Sequence, residues 1–171
     1  MSVIEAMAPS ADDLKRAFKD VFSQLASGVC IVSFWRGSHL HGFTATSVTS
    51  VSLQPPRILF CVAKSSQSYT SLGAGTCVGI SVLNAGQREL SDRFARTLPP
   101  GSYDNVELIS GSGRAPLIAG ALGHLTAEIV ELIVSGDHAI VLCDVTSAHA
   151  AGDAAPLLYH ARDYHTLYQS S

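Results

Sequence analysis

The chain has 171 residues, of which 47% are hydrophobic and 15% charged, with a formal net charge of −3. That length and hydrophobicity suit one domain with a sizeable core and exclude a disordered chain, while the lack of any basic run or stripe argues against nucleic acid as a partner. The opening MSVIEAMAPS has no basic stretch before an apolar run, and no stretch of about 18 apolar residues occurs, so neither a signal peptide nor a membrane span is expected.

Residues 11–27, ADDLKRAFKDVFSQLAS, place Leu14, Phe18, Val21, Phe22 and Leu25 at helical spacing. Ser10 or Asp12 can cap the start, and Gly28 is a good stop. Residues 1–10 ahead of it are expected to be a flexible tail on a single domain spanning 1–171. A strand is expected over 29–35, VCIVSFW, followed by the turn-like RGSHLHG. Then comes HGFTATSVTSVSLQPP at 41–56, where six of sixteen side chains are Ser or Thr. Two readings stay open there. Val48, Val51 and Leu53 could face a core while Thr49, Ser50 and Ser52 face water. Alternatively, the hydroxyls and free backbone N–H groups form a cradle for an anion or cofactor. Pro55 and Pro56 are expected to end strand pairing and fix the exit of the chain.

RILFCVA (57–63) and TCVGISVL (76–83) read as strands, separated by the polar KSSQSYTSLGAG with one or two helical turns. NAGQRELSDRFA (84–95) reads as a helix with Asn84 as N-cap and Gln87 in the capping-box position. Residues 96–123 are irregular, punctuated by Pro99, Pro100, Gly101 and Pro116. HLTAEIVELIV (124–134) is a strand in which Glu128 and Glu131 break alternation, by a bulge or by helix. The SGDH link then makes a hairpin with 138–150, and PLLYHARDYHTL (156–167) adds a short strand and turn. Six or seven short strands without regular helical crossovers point to a closed or partly closed antiparallel barrel.

Cys30, Cys61, Cys77 and Cys143 lie far apart in apolar segments without a CxxC pair, as expected for reduced thiols in a cytoplasmic protein. The high hydrophobic fraction favours an oligomer. GxGxxG, GxxxxGK[ST], HExxH and GxSxG are all missing. His39 and His41 form an HxH, but no Cys or carboxylate nearby in sequence completes a site, so no metal is expected. His138 follows Gly136 and Asp137 at a hairpin mouth, where an imidazole is either a solvated turn residue or aimed at a ligand. Tyr159, His160, Tyr164 and His165 cluster near the end of the chain, a pattern usual for packed terminal aromatics.

The runs FSQLASGVCIVSF, GFTATSVTSVSLQPPRILFCVAKSSQSY, SVLNAGQRELSDRFA, GSGRAPLIAGALGHLTAEIVELIVSGDHAIVLCDV and PLLYHARDYHTL, taken in order over residues 14–168, resemble the flavin reductase family with the FMN-binding split-barrel fold. They are similar to the small reductase components of two-component flavin monooxygenases. The resemblance implies a homodimeric, mainly β, six-stranded antiparallel split barrel of Greek-key type with flanking helices. It implies FMN or FAD bound near the dimer interface, NADH or NADPH as reductant, and a partner monooxygenase that receives reduced flavin. By matching motif, Thr44, Ala45, Thr46 and Ser47 line the isoalloxazine ring, and Ser50, Val51 and Ser52 lie near ring or ribityl. Cys61, Val62, Lys64, Ser65, Ser66 and Ser68 form a second flavin loop, with Lys64 or Arg93 neutralising the phosphate. Arg93 and Phe94 match an RFA that closes over the cofactor, His138 a histidine near the nicotinamide, and Tyr164 a tail aromatic near the same pocket. Thr46 stands where Asn or Ser is more usual. A rival reading, a pyridoxamine-phosphate-oxidase-like flavoenzyme, calls for more basic side chains than the 11 Lys and Arg here. A non-catalytic flavin- or haem-binding carrier is the other rival, because fold does not set function.

Overall fold

The computed structural model of the chain describes residues 10–109 and 114–167. The expected tail lies outside them except for Ser10. Helix α1 (Ala11–Ser23) opens as expected: the Ser10 hydroxyl accepts the Asp13 N–H at 3.1 Å, and Asp12 and Asp13 sit in the positive first turn. It stops at Ser23 and not at Gly28, because Gly28 is drawn into strand β1 (Ser27–Gly28), where it pairs with Leu158. The apolar side of α1 is not in the core. Leu14, Phe18, Val21, Phe22 and Leu25 are 56–69% exposed. The Arg162–Asp20 ion pair and the Ala161 N–H donating to Ser23 O (2.7 Å) tie the helix to the body.

The main antiparallel sheet holds β2 (Cys30–Arg36), β3 (His39–Ala45), β4 (Thr49–Leu53), β5 (Pro56–Ala63), β6 (Cys77–Val82), β7 (Gly123–Ser135) and β8 (His138–Ala150), ordered β3-β2-β6-β7-β8-β5-β4. It has seven strands where six were expected, because the hydroxyl-rich stretch supplies both the end of β3 and a separate edge strand β4. The tail yields two strands, β9 (Leu157–His160) and β10 (Asp163–Thr166), which join β1 in a small sheet ordered β1-β9-β10. The one longer helix after α1 among the described residues is α2 (Arg88–Phe94), entered through a 3-10 turn with the anticipated Asn84/Gln87 capping box.

The large sheet curls. Phe43 on β3 packs against Phe60 on β5, ring centroids 5.9 Å apart, although these are the first and sixth strands in order. Its inner face forms one core, with Val32, Phe34, Phe60, Val78, Ile80 and Val141 at most 1% exposed. A second cluster lies on the opposite face, where Ile31, Leu83, Phe94, Ile118 and Leu157 meet. Strand β2 is therefore covered on both faces, which explains its continuous apolar run without alternation.

Register shifts on β7 and β8 at Thr126/Ala127 and Ile129/Glu131 are the bulge that the glutamates announced. A third shift, between Ser50 and Ser52 on β4, defeats the inward reading of that strand. Val48 packs on the core, but Val51 and Leu53 are 48% and 82% exposed. Leu53 pairs with Pro56, so the prolines belong to a β4–β5 hairpin instead of ending pairing, and Pro56 opens β5. No described helix is long and apolar enough to cross a membrane.

Gly79 on β6 lies under the 114–118 segment. A Cβ there would fall 2.0 Å from Pro116 O, while the buried Ser33 hydroxyl is 2.7 Å from the same oxygen and donates to it. Gly79→Ala should therefore lower stability by about 1–3 kcal/mol or more, read as a reduced urea midpoint. A parental midpoint would contradict this close approach.

Candidate functional site

Residues 41–49, the end of β3 and the turn after it, run past three adjoining pockets. The first, ≈ 260 Å³, lies between His41–Phe43, the 65–68 loop and the chain leaving α2. Its construction starts at Gly42, where a Cβ would fall 2.6 Å from Val32 O and 3.0 Å from the Phe94 ring. The missing methyl lets Phe94 pack on β3, and Phe94 in turn stacks on Tyr103 at 4.3 Å. Arg93 donates to Ser102 O and Asn105 Oδ1, and the Tyr103 hydroxyl donates to Arg96 O at 3.0 Å. The segment after α2 is thereby held as a wall. Ser65, Ser66 and Arg96 face this pocket; the Ser66 oxygen accepts the Ser68 N–H (3.1 Å), which leaves its proton free to donate.

The second pocket, ≈ 400 Å³, lies between β3, α2 and the β9–β10 hairpin. Thr44 donates to Ser91 O at 2.6 Å, and the Ser91 and Tyr164 hydroxyls are hydrogen-bonded at 2.8 Å. Arg88 lies over the Tyr164 ring at 5.0 Å and donates to Asp163. Burial pushes the Tyr164 phenol up; its bond to Ser91 opposes this, and the Asp92 carboxylate adds to it. The third pocket, ≈ 910 Å³, is a cleft between the α1 aromatics Phe18 and Phe22 and a floor of Cys30 and Thr46–Thr49. At its floor the Ser47 oxygen accepts the Cys61 N–H at 2.9 Å, so the hydroxyl proton points away from that bond.

The structure gathers part of the sequence-derived set along this strip. Thr44, Thr46 and Tyr164 line the second pocket, Thr46 and Ser47 the third, and Ser65, Ser66, Ser68 and Phe94 the first. Ala45 and Val62 point into the core at 5% and 2% exposure, so they offer a ligand backbone only. Cys61 lines none of the three pockets and contributes through its N–H. Ser50, Val51 and Ser52 follow the strip on edge strand β4 and line none of the three pockets, and Ser52 is used to accept the Gln54 N–H. Arg93 is committed to its wall, and Arg96, three residues on and past the end of α2, is the arginine that lines the first pocket. Lys64 and His138 stand together outside the pockets. The Lys64 N–H donates to Asp137 O (2.9 Å), its ammonium lies 3.3 Å from Gly136 O, and His138 Nδ1 is 2.8 Å from Asp137. That bond holds the Asp137 carboxyl below the usual range.

Sequence reading missed Arg96, Arg88 and His41. Arg88 opens α2 and Arg96 lies just past its end, so they flank the RFA and had only that position as a signal. His41 was half of an HxH; the residue is 8% exposed and its ring stacks on Phe34, with centroids 6.1 Å apart. Burial, and then the charges of Arg36 and His39, lower its pKa against the pull of Asp104.

Residues 22–168 match the family model described as the flavin reductase like domain. The chain belongs to the flavin reductase family. An NADH-dependent FAD reductase of Streptomyces globisporus is 42% identical over 132 residues, covering 75% of this chain and 72% of its own length. An NADH:FMN oxidoreductase of Rhodococcus qingshengii is 37% identical over 144 residues, covering 81% and 74%. Among solved structures, the Streptomyces globisporus C-1027 NADH:FAD oxidoreductase superposes with a TM-score of 0.84 at 35% identity, covering 95% of this chain and 98% of that one. The flavin reductase component of a bacterial two-component tryptophan halogenase does so with a TM-score of 0.81 at 32% identity, over 91% and 99%.

The donor set suits a flavin. Hydroxyls and a guanidinium in the first pocket match a phosphate, while Ser47 and the apolar cleft match a flat ring with one polar edge.

The His41 environment fixes a pH response. Its pKa is lower folded than unfolded, so the neutral ring stabilises the fold fully above about pH 6.5, and this contribution is lost as pH falls through the lowered folded value. His41→Phe should flatten the decline in urea stability as pH falls below about 6.5. Equal slopes for parent and variant would show that His41 does not titrate as described.

Proposed function

We propose that this protein oxidises a reduced nicotinamide dinucleotide, NADH or NADPH, with FMN or FAD as acceptor, and hands reduced flavin to a partner monooxygenase. One observation carries the reading: a single backbone stretch, residues 41–49, lines a strip that is donor-rich at one end and apolar at the other. The names of the relatives support it, several being NADH-dependent and both flavins appearing among them. Bound flavin would supply the acceptor for a hydride, chemistry that no side chain here provides.

The residues of the chain bind, orient and exclude water. Arg96 with the Ser65 and Ser66 hydroxyls holds the phosphate, a charge-assisted set in place of the expected Arg93. Ser47, its oxygen already satisfied by Cys61, donates its proton to the polar edge of the ring. Phe18 and Phe22 cover the flat face and thin the water around it. Tyr164, locked to Ser91, closes the second pocket and keeps its phenolic proton. Hydride transfer needs no acid or base, so His138 is assigned to orienting the reductant, beside Lys64 at the rim next to Ser65.

The curled sheet corresponds, in this reading, to a split barrel forming one domain over 1–171. The exposed apolar side of α1 is its dimer contact, since a patch of that kind on a lone monomer would favour association. Four free cysteines fit a cytoplasmic setting.

Steady-state oxidation of NADH and NADPH with each flavin tests the activity, and absence of turnover with every pair would refute it. In the same assay His138→Ala should lower kcat/KM for the reductant about five- to hundredfold, with flavin affinity unchanged. Parental kcat/KM would remove His138 from the site. Light scattering should give the mass of a dimer at micromolar concentration; a fully active monomer would contradict the α1 contact.

A further inference from the structure

We propose that Asp104 and His39, which line none of the pockets, are positioning residues that fix the outer wall of the first pocket and so set affinity for the phosphate-bearing end of the flavin. This rests on the reading of that pocket given above. The wall is irregular chain, with Thr97, Leu98 and Tyr103 facing the pocket. Irregular chain holds a position only through specific bonds, and this segment has two anchors. The inner one is Arg93 and Phe94 acting on Ser102, Asn105 and Tyr103. The outer one is Asp104. Its Oδ2 accepts from His39 Nδ1 at 2.8 Å, and its Oδ1 accepts the Leu40 N–H at 3.3 Å.

The outer anchor joins the wall to β3, an edge strand that pairs with β2 alone and so leaves polar backbone groups available on its other side. The turn before it is shaped for the contact. Gly101 has φ +83°, and a Cβ there would meet Asp104 Oδ2 at 3.4 Å and His39 Nδ1 at 3.8 Å. Asp104 adjoins Tyr103, so whatever shifts the carboxylate shifts the ring that lines the pocket. His39 and Asp104 side chains are 48% and 44% exposed, so their effect is one of placement and modest in size. The hydrogen bond to His39 is also the largest cause holding the Asp104 carboxyl below its usual range.

The test compares FMN with riboflavin, which lacks the phosphate, as acceptors in steady-state NADH oxidation. Asp104→Ala and His39→Ala should each raise KM for FMN about three- to fivefold, with kcat at saturating FMN and KM for riboflavin unchanged. Asp104→Asn keeps an acceptor for the Leu40 N–H, and its amide N–H can donate to His39 Nδ1 in the other tautomer, so it should recover most of the loss. A general loss of structure would move both acceptors together and would not be rescued. Arg96→Ala runs alongside as the marker of the pocket and should raise KM for FMN selectively. Parental KM for FMN in both alanine variants, or equal shifts for the two acceptors, overturns the positioning role. If Arg96→Ala still discriminates in that case, the phosphate pocket stands and only the anchor falls; if it does not, both fall.

Discussion

The absence of a side chain at Gly42 is the constraint on which the site depends. Strand β3 is an edge, and an edge strand needs a cover. Here the cover is α2, and it reaches β3 only because Phe94 occupies the space that a Cβ at Gly42 would claim. From that contact the rest follows in order. Phe94 stacks on Tyr103, Tyr103 caps Arg96 O, and Arg93 gathers Ser102 and Asn105. One turn back on the helix, Ser91 reaches Thr44 and Tyr164 and closes the second pocket. The same short helix thus builds both polar pockets, and the hydrophobic contact at its end sets where its polar groups point.

The hydroxyl-rich stretch answers two demands. Buried backbone groups must be satisfied, and some hydroxyls are spent on that. Thr44 donates to Ser91 O and Ser47 accepts from Cys61, both partly buried. A serine that accepts still has a proton to give, whereas a threonine that has donated does not. This asymmetry separates Ser47 and Ser66, which can donate to a ligand, from Thr44, which holds the frame. The arginines divide in the same way: Arg88, Arg93 and Arg162 are each bonded within the chain, and Arg96 is left to face the first pocket.

Local chemistry made much of the fold legible. Ser10 and the Asn84/Gln87 pair cap the helices they announce, and Glu128 and Glu131 mark a real bulge. Strand limits fell within a residue or two wherever apolar β-branched runs were bounded by turn residues. What failed was set by distant contacts. Gly28 became a strand residue because Leu158 pairs with it. The β9–β10 turn was hard to see because Ala161 and Arg162 adopt φ of 49° and 65°, a region that sequence reading reserves for Gly and Asn. The site was legible by segment but less so by side chain. Alternation buries Ala45 and Val62 beside neighbours that face the strip, and the choice between Arg93 and Arg96 turns on which face of the α2 end meets the loop.

A crystal structure of the protein with FMN bound tests the central claim most directly, namely that residues 41–49 carry one continuous flavin strip. The account predicts the isoalloxazine ring against Thr46–Thr49 with its polar edge toward Ser47, and the phosphate among Ser65, Ser66 and Arg96. A flavin seated on the outer face of β4, or with its phosphate at Arg93 and the first pocket empty, would contradict it.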